Sequence, residues 1–411
     1  MKAVHILLLL CSIPIISCSD NSNKNLILDF DGDTYRYGYI DSLGNIEIPY
    51  KFYYAKPFDG NTAIVAEKSF YDRYLIDKNG KKITGHKFDL INAFDHGVSI
   101  VRRDQYEGYI DRDGDLLTSI KYSSIRDFSD GLGLAIMEDK SQQTSWYVYL
   151  DTLGNEVIKL DYPDANSFSE GLAAVGKSHN YEMIYGYIDT TGDIAIPFQF
   201  SAAGPFSEGL AAVRVGGKWG FIDKTGKMII EPQFNDALYF SEGLCAVGIT
   251  RWGYINTRGE LVIPCILNKD ERSYFRNDRV IASRGGDSGV IDRNGKVIID
   301  IAYRDITRIG SRFFEVFKFG GHGLFDYDGN QVLPFEYREI GSVNSNGLIA
   351  VKKGDYWGFV DMNNNIVVPL NYSAAEPFDG PLAFVGNGFV DASGNFYKSK
   401  RDYILSQNSR N

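Results

Sequence analysis

A phrase of the form Gly-aromatic-Ile-Asp-x-x-Gly returns along nearly the whole chain. Its acid falls at Asp41, Asp77, Asp111, Asp151, Asp189, Asp223, Asp292, Asp326, Asp361 and Asp391, and once as Asn256, in steps of 30 to 40 residues. Eleven copies at so even a step describe one small unit, duplicated and stacked, rather than several different domains. In such an array each unit packs mainly on its neighbours, so a chain of 411 residues needs no single growing core. Apolar residues at 44% and charged residues at 23% are those of a folded chain. The net charge of −10, without a basic stripe, argues against nucleic acid as a partner.

The copy over residues 209–243 is the clearest. Leu210 to Val215 reads as a strand, Gly216-Gly217 as a two-residue hairpin turn, and Lys218 to Ile222 as a second strand. Asp223-Lys224-Thr225-Gly226 carries turn chemistry: the Asp accepts backbone N–H bonds and the Gly tolerates positive φ. Lys227 to Glu231 reads as a third strand, stopped by Pro232, which has no N–H. Three residues before the acid, Gly stands in every copy except at Tyr74 and Val148. A Gly inside a strand marks close approach of another backbone or of a ring. Two further phrases recur: Phe-Ser-Glu-Gly-Leu-Ala-x-Val, as at Phe206 to Val213, and Ile-Pro-x-x-aromatic, as at Ile196 to Phe200.

Together, Lys218-Trp219-Gly220-Phe221-Ile222-Asp223-x-x-Gly226, the Pro-x-x-Phe ending and the Phe-Ser-Glu-Gly phrase resemble the WG-repeat family, also called KWG repeats. The resemblance spans residues 30 to about 397 and implies bacterial, often exported, β-repeat proteins, mostly without an assigned activity. It supplies no catalytic residues. The expected fold is all-β: a tandem array of about eleven three-stranded β-meanders over residues 25–397, in an open solenoid-like form, with a closed β-propeller-like ring as the alternative. The basic tail, residues 398–411, is expected to be frayed or loosely docked.

The amino terminus reads as an export signal: Lys2 is followed by the apolar run Val4 to Ile16, which is too short to span a bilayer. Ile15-Ile16-Ser17-Cys18 resembles the lipobox of bacterial lipoproteins, which implies removal of residues 1–17 and lipid on Cys18. Residues 18–24 are then a polar tether, and the expected location is the bacterial cell envelope, with a membrane as partner through the lipid.

Two adjacent copies depart from the template in the same place. Their hairpin tips are lengthened, over Glu138 to Trp146 and Gly176 to Ile184. Insertions on one side of a repeat protein mark a candidate working face, here carried by Gln142, Gln143, Trp146, His179 and Tyr181. Elsewhere the chemistry is sparse. Cys245 and Cys265 replace apolar residues of the template, and whether they pair is open. Gly286-Asp287-Ser288-Gly289 resembles a protease nucleophile phrase, but Ser288 stands in the Trp slot of the repeat. Asp29-x-Asp31-Gly-Asp33 and Asp111-x-Asp113-Gly-Asp115 hint at calcium loops without the spacing of an EF-hand, so solvated turns are expected. No catalytic residue, metal or cofactor is expected. The reading is a monomeric, non-catalytic binding or scaffold lipoprotein with a protein or peptide partner; a carbohydrate binder and a hydrolase are the alternatives.

Overall fold

The computed structural model describes residues 25–139, 144–268 and 274–409. Eleven small antiparallel sheets follow one another in chain order, and one α-helix closes the chain. Sheet six shows the complete unit. Its strands Ala202–Ser207, Leu210–Val215, Lys218–Asp223 and Met228–Phe234 lie side by side in sequence order. The last three are the expected meander. Only Ser201 separates the first from Phe200, where the previous sheet's last strand ends, so successive sheets are joined almost without a linker.

The motif acid builds the same turn in all eleven copies. In sheet six the Asp223 Oδ1 accepts from the amides of Thr225 and Lys227, while the Gly226 amide donates to the Asp223 carbonyl. Asn256 makes the same two side-chain bonds to Arg258 and Glu260 in sheet seven, because a neutral amide oxygen accepts equally well. Gly226 takes φ +83°, and where the tenth copy lacks the Gly, Asn364 adopts φ +66°.

The strand Gly answers to backbone. A Cβ at Gly220 would lie 2.5 Å from the Ile230 carbonyl oxygen and 2.8 Å from the Pro232 nitrogen. The last strand bulges there: Trp219 faces Phe234 and Phe221 faces Ile230, leaving extra residues on one side. Pro232 therefore does not end the strand, as its missing N–H suggested. It sits inside the bulge, where no ladder bond is required.

Sheets are joined by three recurring contacts. The motif aromatic of one sheet packs on the Phe that opens the next, as in Tyr187–Phe206 and Phe221–Phe240, with centroids 5.0 and 5.1 Å apart. The Ser after that Phe donates to the corresponding Phe carbonyl one sheet on: Ser169 to Phe206 at 2.6 Å, Ser207 to Phe240 at 2.7 Å. The acid beside it accepts from the next Gly amide, Glu170 from Gly209 and Glu208 from Gly243. Glu208 and Gly209 both have positive φ, 54° and 80°, as a tight two-residue turn requires. A left-handed Glu costs roughly 1 kcal/mol, offset by the bond to the following turn. The degenerate copies eight and nine continue the array through one apolar cluster containing Val290, Ile306 and Phe314.

The two ends meet. Strand β1, Ile27–Asp31, opens sheet one, and helix α1, Lys400–Asn408, follows sheet eleven. Phe30 packs edge-on against Phe384 at 5.2 Å, and the Gly32 amide donates to the Lys398 carbonyl. The array is thus a closed, propeller-like ring, the alternative to the open form favoured from repeat number. Closure follows because an end sheet presents the same apolar face as every other and needs a neighbour to cover it. Residues 398–409 of the tail are correspondingly docked, not frayed. In sheets five, six and seven the turn glycines Gly192, Gly226 and Gly259 rest on an Ile of the preceding sheet's last strand, whereas Gly44 of sheet one rests on Ile404, Arg401 and Leu405 of α1. The helix stands in for a preceding strand.

One junction carries a charge whose pH dependence can be measured. Glu156 of sheet four meets Lys121 at 2.7 Å, the Tyr122 hydroxyl at 2.9 Å and Lys159 at 3.0 Å. Lys121 foremost holds its carboxyl down to about 2, against the upward push of burial. A carboxyl lowered on folding stabilises the fold above its unfolded value of 4.5 and loses that contribution as pH falls towards 2. Glu156→Gln should therefore lower stability by about 1–2 kcal/mol at pH 7 and by almost nothing at pH 2, read by chemical denaturation at both pH values. An equal loss at both would disprove the assignment.

Candidate functional site

The strands that carry the two lengthened tips pair in regular register. In sheet four, Gly133–Asp139 pairs with Thr144–Leu150, placing Met137 opposite Trp146; in sheet five, Leu172–His179 pairs with Glu182–Asp189. Asn180 and Tyr181 make the second tip with φ of 49° and 65°, the tight-turn geometry that right-twisted strands favour. The two strand pairs are equivalent members of adjacent sheets, so Trp146 and Tyr181 lie at the same end of their pairs. The Tyr181 side chain is fully exposed and Trp146 is 37% exposed. The other tryptophans, Trp219, Trp252 and Trp357, are packed against or within sheet clusters. His179 lies at the second tip with its Nε2 3.3 Å from the Asn180 amide nitrogen. Gln142, Gln143 and Cys18 lie outside the described residues.

The remaining chemistry flagged by sequence is dispersed or committed to structure. Ser288 is buried with its hydroxyl 3.1 Å from that of Ser283 across the strand pair. His322 belongs to sheet nine and meets Glu315 at 2.8 Å. Cys245 and Cys265 are free thiols; burial pushes the Cys245 thiol up, and its sulfur donates to the Leu238 carbonyl. Asp111 and Asp113 belong to the repeat turn. Among the described residues no three His, Cys, Asp or Glu side chains gather as metal ligands would.

Asp29 is the exception, and not as a solvated turn. Its position in the strand is held in the other ten copies by Val65, Val101, Ala135, Val175, Val213, Val247, Ala282, Val316, Val351 and Val385, all buried. Asp29 is equally buried. Its carboxylate accepts from the Lys400 amide at 2.7 Å, the Arg401 amide at 3.2 Å, the Phe30 amide at 2.8 Å and the Tyr50 hydroxyl at 2.7 Å. Two of these donors are first-turn amides of α1, where backbone N–H groups lack partners and the helix dipole favours an anion. Burial pushes the Asp29 carboxyl up from its ordinary value, while the Tyr50 hydroxyl and the three amides pull it down. The sequence signal was present, an acid in an apolar column, but its partner lay 371 residues away.

Beside this clasp the structure opens a cleft of about 650 Å³, bordered by residues 26–30, by Tyr54 to Pro57 of sheet two and by Glu376, Pro377, Leu382 and Phe384 of sheet eleven. Sequence reasoning missed it, since it exists only where the two ends come together.

With this geometry in view, likeness to known proteins can be placed. The profile of the family described as WG containing repeat matches ten segments, from residues 37–68 to residues 357–388, and these cover well over half of the chain. This is a WG-repeat protein. No curated protein matches it. Among solved structures, a eukaryotic initiation factor is similar at 10% identity and a TM-score of 0.41, over 92% of this chain and 98% of that one. Kluyveromyces lactis Hsv2p is similar at 11% identity and a TM-score of 0.33, over 56% of this chain and 90% of that one. The β-propeller domain of the Trilobed protease from Pyrococcus furiosus is similar at 11% and 0.31, over 61% of this chain and 98% of that one. Nothing about the activity of the WG-repeat chain follows from likenesses this distant.

Asp29→Val restores the apolar residue of the other WG repeats but leaves the α1 amides and the Tyr50 hydroxyl without their acceptor. It should cost about 3 kcal/mol and speed hydrogen exchange across residues 402–408 ahead of the sheets. Unchanged protection of those amides would show that the clasp does not hold the helix.

Proposed function

We propose that this WG-repeat ring is a non-catalytic binding or scaffold protein of the bacterial cell envelope, tethered by lipid on Cys18 and engaging a protein partner through the face that carries Trp146 and Tyr181. The observation that carries this reading is the pair of lengthened hairpins on adjacent sheets, each offering an aromatic side chain to solvent. An exposed Trp in a strand and an exposed Tyr in a tight turn supply large contact area at low entropic cost, as binding surfaces do. The non-catalytic part is supported by the uniform employment of the motif acids, each engaged in a turn of the same geometry.

Cross-linking in intact cells, followed by mass spectrometry, tests the surface. The pair Trp146→Ser and Tyr181→Ser should reduce the cross-linked partner at least tenfold while leaving thermal unfolding unchanged. Undiminished recovery would sink the reading, and hits on a glycan array would replace the protein partner with a carbohydrate. The tether is checked separately by the mass of the mature amino-terminal peptide: diacylglyceryl-Cys18 is expected, and an unmodified Cys18 would remove the membrane from the proposal.

A further inference from the structure

The cleft at the seam lies beside β1 where most other sheets carry an opening strand. In sheet six, Leu210–Val215 is bordered on one edge by Ala202–Ser207 and on the other by Lys218–Asp223. In sheet one, β1 corresponds to Leu210–Val215 and pairs with Arg36–Ile40 on one edge only, among the described residues. The cleft borders β1 along its length and is flanked by the segments that open sheets two and eleven, which are the neighbours that an opening strand of sheet one would have.

The ring itself shows what fits such a place. In six sheets a residue of the opening segment donates its amide to the strand carbonyl equivalent to that of Leu28: Lys56 to Ile64, Asn92 to Ile100, Arg126 to Leu134, Asn166 to Ala174, Leu238 to Ala246 and Glu376 to Phe384, at 2.8 to 3.0 Å. In seven junctions the opening segment's Phe packs on the motif aromatic of the preceding sheet, with centroids 4.7 to 5.1 Å apart. At the seam that aromatic is Phe389, which borders the cleft. The pattern that satisfies both demands is Ala-x-x-Phe-Ser or Ala-x-x-Phe-Asp, as at Ala55 to Asp59, Ala203 to Ser207 and Ala237 to Ser241. In the same register the residues upstream of Leu26 are Ser19 and Ser22 where the repeats carry Ala and Phe, so they lack both anchors.

We infer that the seam cleft is an acceptor site for an extended peptide of a partner protein, added antiparallel to β1 with a Phe seated on Phe389. Main-chain bonds to the Leu28 edge would supply affinity, and the Phe three residues beyond the Ala would supply selectivity, the usual division in strand addition. The rim carries both signs, Lys56 and the Lys400–Asp379 pair at 2.7 Å beside Glu376, so net charge is not what selects the ligand.

The probe is a labelled, end-blocked peptide of the sequence Asp-Ala-Leu-Tyr-Phe-Ser-Glu, the chain's own residues 236–242, added to the full mature protein. Saturable binding by fluorescence anisotropy is expected, weakened roughly tenfold or more in a peptide carrying Phe240→Ser. Hydrogen exchange at the Leu28 amide should slow when the peptide is bound. The Trp146→Ser, Tyr181→Ser protein should bind the peptide as the parent does, which separates this site from the hairpin face. Three results overturn the inference: no binding, binding indifferent to the Phe, or a Leu28 amide already protected in the free protein. Protection independent of protein concentration would give the cleft to the chain's own residues 18–24, and protection that rises with concentration would give it to a second copy.

Discussion

A sheet of three or four strands, each five to seven residues long at most positions, has two faces and too little material to cover either of them. That shortage organises the whole molecule. Every sheet must lend a face to the sheet before and borrow one from the sheet after, and the recurring residues are those that make the loan fit. The motif aromatic meets the next Phe, the Ser hydroxyl meets the next carbonyl, and the acid meets the next Gly amide. Apolar burial supplies most of the driving force, while the hydrogen bonds fix the offset between sheets so that the same offset repeats. A repeated offset with no exposed end is a ring.

Much of this was legible in the sequence, and the reason lies in range. The turn of Asp223 and Gly226 is written within four residues, and the constraint on Gly220 arises from its own hairpin neighbour, so spacing and residue type suffice for both. Phe-Ser-Glu-Gly was visible as a phrase but not as a mechanism, because each of its bonds crosses to the next copy and a single copy shows only half of the contact. Closure was not legible. It rests on Asp29, α1 and Phe384, none of which belongs to the repeated phrases at their strongest. Pro232 misled for a similar reason: a missing N–H ends a ladder only where the ladder needs that bond, and the bulge over Gly220 removes the need.

The candidate surfaces divide along the same line. The hairpin face is an excess over the template, so it can be read by counting residues, and the exposure of Trp146 and Tyr181 adds chemistry to the count. The seam cleft is a shortfall from the template among the described residues and appears only once sheet one is set beside sheet eleven. In a molecule made of equal parts, departures from equality are where individual function has room to reside. Both departures lie beside paired strands: Trp146 within one, Tyr181 on the tight turn between two, and the cleft along β1.

The clasp between Asp29 and the first turn of α1 also sets an order of events in time. Its two halves are 371 residues apart, whereas the contacts between adjacent sheets link residues some 35 apart, as in Ser207 to Phe240. Neighbouring sheets can therefore settle as the chain emerges, at little cost in loop entropy, but the clasp cannot form before α1 is synthesised. Until then the Gly44 turn and the Asp29 carboxylate wait without the nine helical residues that cover and bind them.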